Sequence, residues 1–240
     1  MKYVINLLCY LTSFQFLLAE PDLFLLSKQA YERKDFKNAA RLSLQYLQSQ
    51  DTISIHDPIL EIFFQTEGDL ARLDFFLEKA YSSSGGNSPQ IYNLMAIFLE
   101  KCYHAKESKI GFRWGDIFLQ EGGNSKRYAR GIFAYSGMLF LEKEGKKARQ
   151  ILKNPKLVNS KGVLKKRKSL LALALYKKEK KVIDTANQFL VNHGKTPYAD
   201  FVMALIIETY QKLGEVEKAN EWKIKLEKNF PNSPFKNEYM

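Results

Sequence analysis

Apolar positions along this chain recur at steps of three and four residues, the period of an amphipathic helix. Leu26, Ser27, Ala30 and Tyr31 fall on one helical face, Asp35-Phe36 makes a turn, and Ala39-Ala40 opens a second helix. The same reading predicts helices over 57–65 and 69–81, broken by Glu67-Gly68. It then predicts 89–103 and 105–120, and 126–144 and 146–152 with Gly145 at the turn. Turn-rich stretches separate the pairs at 82–89, 121–125 and Asn154-Pro155. Two further pairs complete the chain over 166–199 and 200–233. The turns inside the pairs are expected near 35, 68, 104, 145, 180 and 214, at steps of 33, 36, 41, 35 and 34 residues. One helix pair cannot bury its apolar faces alone, whereas stacked pairs can. The expected fold is therefore all-α, a right-handed α-solenoid of about six helix pairs.

Composition supports helices. Apolar residues make up 45%, and 13 Gly and 7 Pro are few for a protein of many short strands. The first residues read differently. Lys2 is followed by a mostly apolar run, Tyr3 to Leu18, and Leu17-Leu18-Ala19 precedes Glu20-Pro21. That predicts a signal peptide over 1–19 and a mature repeat domain over 20–240, exported to the periplasm or cell envelope. The rival is an uncleaved N-terminal membrane anchor. Lipidation at Cys9 is the third reading, although Leu8 stands where a small residue is wanted. Cys102 is the other cysteine, so the mature chain has no intramolecular disulfide to draw on.

Charge is uneven. The formal net charge is +11, and residues 143–181 hold fifteen Lys/Arg against Glu144 and Glu179. The basic character is thus one localised block.

The stretch 200–233, DFVMALIIETYQKLGEVEKANEWKIKLEKNFPNS, has a first helix ending near Tyr210, a turn at Gly214, a small residue at Ala219 and a stop at Pro231. It resembles a unit of the tetratricopeptide repeat (TPR) family. The copy at 166–199 aligns Tyr176 with Tyr210 and Pro197 with Pro231, and puts Lys180 at the turn and Thr185 at the small position. Residues 21–50 form the third good copy. The Phe-Pro-Asn-Ser ending is also similar to repeats of bacterial envelope proteins such as the Tol-Pal coordinator and the outer-membrane assembly lipoproteins. The resemblance implies a scaffold or adaptor for another envelope protein, with the first helix of each pair lining a concave groove. On 166–199 the groove positions would be Arg167, Leu170, Ala174, Lys177 and Lys178, with Lys165, Lys166 and Lys168 beside them. Such cations suit an acidic peptide or a carboxylate. The paired Asn residues of the carboxylate-clamp subtype are missing. A solvated lysine face is the plain alternative, and a module that sits on anionic lipid or cell-wall polymer is another. Nucleic acid is not expected, because no arginine–aromatic interleaving accompanies the block. After the last repeat only a short tail follows, so Trp222, Leu226 and Phe230 are expected near an open end, covered by a partner, by a second copy in a homodimer, or by the tail.

Candidate chemistry is sparse. His56, His104 and His193 are far apart and have no companions at metal-ligand spacing. Cys102 and His104 lie two residues apart on one helix and so point away from each other. Gly85-Gly86 and Gly122-Gly123 lack the Lys-Ser/Thr of a phosphate loop. Glu142/Glu144 and Glu215/Glu217 read as solvated faces. Phe63-Phe64, Phe75-Phe76 and Phe112/Trp114/Phe118 read as core. A non-catalytic binding protein with no metal and no cofactor is the expectation.

Overall fold

The computed structural model describes residues 22–85, 88–175, 178–196, 199–231, 233 and 235. The expected signal peptide, Lys177, Tyr176 and Pro197 lie outside the described residues. The protein is all-helical, with no strand among the described residues. It divides into two compact units, Met1–Ser84 and Gly85–Met240.

The first unit contains α1 (Leu23–Glu32), α2 (Phe36–Ser49), α3 (Pro58–Thr66) and α4 (Leu70–Ser83). Each starts at an aspartate whose carboxylate accepts a backbone N–H: Asp22, Asp35, Asp57 and Asp69. Ile59, Phe63, Phe64, Leu73, Phe76 and Leu77 form the interior. Phe63 and Phe76 meet edge to face at 5.1 Å. Phe75 departs from the sequence reading: it is 54% exposed, since its neighbour Phe76 already occupies the inward face.

The second unit contains α5 (Pro89–Ala105), α6 (Ser108–Glu121), a 3-10 turn (Gly122–Asn124), α7 (Tyr128–Leu141), α8 (Gly145–Leu152), the single turn α9 (Pro155–Val158), α10 (Gly162–Leu175), α11 (Glu179–His193), α12 (Ala199–Lys212) and α13 (Val216–Asn229). Successive first helices pack on one another, α5 on α7 and α7 on α10, while α6, α8 and α11 each pack on the first helix that follows. Glycines permit the closest of these approaches. A Cβ at Gly115 of α6 would overlap the Tyr135 ring of α7, and one at Gly131 of α7 would overlap Phe118 of α6. Gly137 of α7 receives Tyr103 of α5 in the same way. The α9 turn was not expected. Asn154 caps it by accepting the Lys156 N–H at 3.0 Å, Pro155 opens it, and Leu157 is fully buried beneath it.

One turn recurs through both units. The N–H groups of Asp35, Glu107, Glu144, Lys178 and Glu215 each donate to the carbonyl five residues back, at 2.8–3.1 Å. Where the preceding residue is described it has positive φ: Lys34 (62°), Lys106 (59°), Lys143 (63°) and Gly214 (74°). Four residues after the turn stand Ala39, Gly111, Ala148, Val182 and Ala219, all buried. The hydroxyls of Ser27 and Ser136 cross from the first helix to the carbonyls of Ala39 and Ala148, at 3.2 and 3.1 Å.

This turn corrects the sequence register. Lys178 is the equivalent of Glu215, a step of 37 rather than 34 residues, so Tyr210 matches Leu173 and not Tyr176. Lys180 lies inside α11, Val182 takes the small position expected at Thr185, Gly145 is the first residue of α8, and the third turn lies at Lys106-Glu107 rather than at 104. The 3.6-residue period tolerates such slips, because moving a helix by one turn keeps its apolar face.

Candidate functional site

Aromatic side chains of α5, α7 and α12 and of the tail fill part of the second unit. Tyr103 at the end of α5 meets Phe201 at the start of α12, ring centroids 5.4 Å apart. Phe235 of the tail lies 5.7 Å from Phe201, under the Lys106 ammonium at 4.1 Å. Arg167 lies over the Phe133 ring at 4.5 Å and is only 5% exposed. Arg167 was expected to project into an open groove. Instead it is buried over Phe133 of α7, close enough to the Tyr103 hydroxyl and the Asp200 carboxylate for each to feel its charge.

Next to these side chains lies a cleft of about 640 Å³. Its apolar lining includes Phe140 and Leu141 of α7, Leu175 of α10, Phe201 and Leu205 of α12, and Phe235. Lys143, Arg149 and Lys212 stand around it, and among the described residues Glu208 is its single carboxylate. A second hollow of about 310 Å³ shares Phe140, Ala174, Leu205, Glu208 and Lys212 with the first and adds Lys178 and Glu179. The two hollows adjoin along these shared residues of α7, α10 and α12, and are called the channel below. Lys212 bonds Glu208 at 2.7 Å, and the Arg149 guanidinium donates to the Leu175 carbonyl at 3.3 Å. Lys143 and Lys178 are exposed. The result is an apolar trough with a cationic margin.

Of the residues expected to bind, Lys178 and Ala174 line this channel. Lys165, Lys166 and Lys168 sit on the first turns of α10 and do not line it, and Lys166 Nζ lies 3.2 Å from His193 Nε2. Trp222 is half-buried on α13, with Lys225 Nζ 4.3 Å from its ring centroid. The open end expected at Trp222, Leu226 and Phe230 is different in detail: Leu226 is buried, and the exposed apolar side chains of α13 are Val216 and Ile224. Lys143, Arg149 and Lys212 were missed. The signal for Lys143 was present in the sequence, as the residue that precedes the recurring Asp/Glu of the turn.

Several cations of the basic block have structural partners. Lys147 Nζ donates to Asp116 Oδ1 at 2.8 Å, where the Tyr135 hydroxyl also donates at 2.6 Å. Burial alone would push the Asp116 carboxyl up, but these two hydrogen bonds outweigh it and hold it down. Tyr135 is pushed up to about 12 by burial and by the same carboxylate. Lys156 donates to the Gly123 carbonyl.

Cys102 is fully buried, and His104 is half-buried in the last turn of α5. Burial, then the charges of Arg167, Arg130 and Lys101, lower the His104 imidazole to about 3. Among the described residues no group of three or more His, Cys, Asp or Glu could hold a metal ion. No described helix is long and apolar enough to cross a membrane. The chain matches no family model, and neither a curated protein nor a solved structure matches it.

Proposed function

We propose that this protein is an exported, non-catalytic scaffold of the TPR type, and that its channel over α7, α10 and α12 binds an extended acidic segment of another cell-envelope protein. The observation that carries this reading is the apolar trough of about 640 Å³ with Lys143, Arg149 and Lys212 around it. Apolar pockets take alternate side chains of an extended peptide, and a cationic margin selects acidic ones. The TPR reading is supported by the turn repeated at Asp35, Glu107, Glu144, Lys178 and Glu215 and by the small buried residue four positions after most of them. In the second unit α5 packs on α7 and α7 on α10, as neighbouring pairs of an α-solenoid do.

The test is capture from envelope extract by the wild-type chain and by a Lys143→Glu, Lys178→Glu variant. A partner recovered by the wild type should be lost from the variant and released from the wild type at high salt. Equal recovery by both proteins would overturn the assignment of the channel.

A further inference from the structure

The chain's own tail supplies part of the channel wall, through Phe235. After α13 the backbone turns at Phe230, and the Ser233 N–H donates to the Phe230 carbonyl at 3.0 Å. The Ser233 hydroxyl then donates to Asp200 Oδ2 at 3.0 Å and accepts the Phe235 N–H at 3.2 Å. Phe235 is 2% exposed, against Phe201 and beneath Lys106. These contacts do not continue the helical packing. They form a small receptor, made of an acceptor (Asp200), an aromatic wall (Phe201) and a cation over the ring (Lys106). A two-residue spacing between hydroxyl and ring fills all three at once. Phe235 also forms part of the wall of the open channel, so removing it would extend that channel towards Tyr103.

We propose that this part of the channel is a recognition subsite for a segment carrying a hydroxyl and an aromatic ring two residues apart, and that Ser233 and Phe235 occupy it in cis until a partner displaces them. The proposal rests on the channel being the binding surface, and it adds what the partner must present. A tail held a few residues from its site acts at an effective concentration on the order of millimolar. It lowers the apparent affinity of a competing segment by the fraction of time the subsite is occupied. Ser233 is the latch and Phe235 is the plug.

The probe is a synthetic fluorescein-labelled peptide, NSPFK, titrated by anisotropy into the full chain. Wild type should bind it weakly, and Phe235→Ala should bind it about tenfold tighter or more. Asp200→Ala in the Phe235→Ala background should remove most of that gain, because the hydroxyl loses its acceptor. A folded Phe235→Ala protein, checked by circular dichroism, that binds no tighter than wild type overturns the proposal. Should Phe235→Ala fail to fold, Ser233→Ala decides: it keeps the ring and releases the latch, so tighter peptide binding supports the subsite and unchanged binding overturns it. None of these variants touches Lys143 or Lys178, so a failure here is distinguishable from a failure of the cationic margin.

Discussion

Tyr103 shows how tightly the second unit is filled. Its ring packs against Gly137, Phe133 and Phe201, yet its hydroxyl is buried with no hydrogen-bond partner among the described residues. A buried polar group left unmatched costs about 1–3 kcal/mol, whereas an apolar replacement of the same shape costs little. Tyr103→Phe is therefore expected to be at least as stable as wild type, by up to about 1 kcal/mol in urea unfolding. Gly137→Ala should do the opposite, by about 1–3 kcal/mol, because its methyl enters the space of the Tyr103 ring. His104, next along α5, makes a pH prediction. Its imidazole is lowered to about 3 in the fold and is near 6.5 when unfolded. The unfolded chain thus binds a proton that the folded chain refuses, so the stabilising difference is full above 6.5 and is lost as the pH falls towards 3. Urea midpoints between pH 7 and pH 5 should fall more steeply for wild type than for His104→Gln, which has no proton to take up; parallel slopes would count against it.

At the scale of the helix pair, the recurring turn is the unit of construction, and it makes an opposed pair of expectations. Lys34 and Gly214 occupy one position in two turns, at φ 62° and 74°. An L residue there is disfavoured by about 1–2 kcal/mol, of which the extra freedom of glycine in the unfolded chain returns roughly half. Lys34→Gly should stabilise the first unit by about 0.5–1 kcal/mol, and Gly214→Ala should destabilise the second by a similar amount, both read from denaturant midpoints. This turn also shows what was legible in the sequence. Helix existence was readable nearly throughout, since Leu, Phe and Ala recur at helical spacing and Asp57 and Asp69 announce their caps. Register was not readable where lysines fill the turn. At 176–181 the run Tyr-Lys-Lys-Glu-Lys-Lys offers no glycine and no Asp, so sequence alone placed the turn at Lys180, within what proves to be α11. Arg167 was misread for another reason. Helical periodicity marks a face, but not the aromatic of another helix, Phe133, that covers it. The cleft margin was half legible: Lys178 and Ala174 were readable, while Lys143 and Lys212 belong to other pairs and are brought together only by the fold.

For the molecule as a whole the question is what its basic block does. The fold splits the fifteen cations of residues 143–181 into groups with different surroundings. Arg167, Lys147 and Lys156 hold Phe133, Asp116 and Gly123. Lys143 and Lys178 border the channel. Lys161, Lys165 and Lys166 are exposed about the first turns of α10 and line neither hollow. A block that served only to hold the protein on anionic lipid or wall polymer would act through its exposed charges regardless of place, since each lysine near such a surface contributes about 1 kcal/mol. A channel for an acidic segment would depend on the margin and be indifferent to the rest, because salt screens charges more than about 8–10 Å from the ligand. Two variants of equal charge change separate these. Lys165→Glu with Lys166→Glu is expected to leave partner capture intact, and Lys143→Glu with Lys178→Glu to abolish it, while both should co-sediment alike with vesicles rich in phosphatidylserine. If the first variant alone loses sedimentation and neither loses capture, the block is a surface anchor and the channel is not the binding site. The exposed lysines that look most like a binding block in the sequence are thus expected to matter less than two that border the trough.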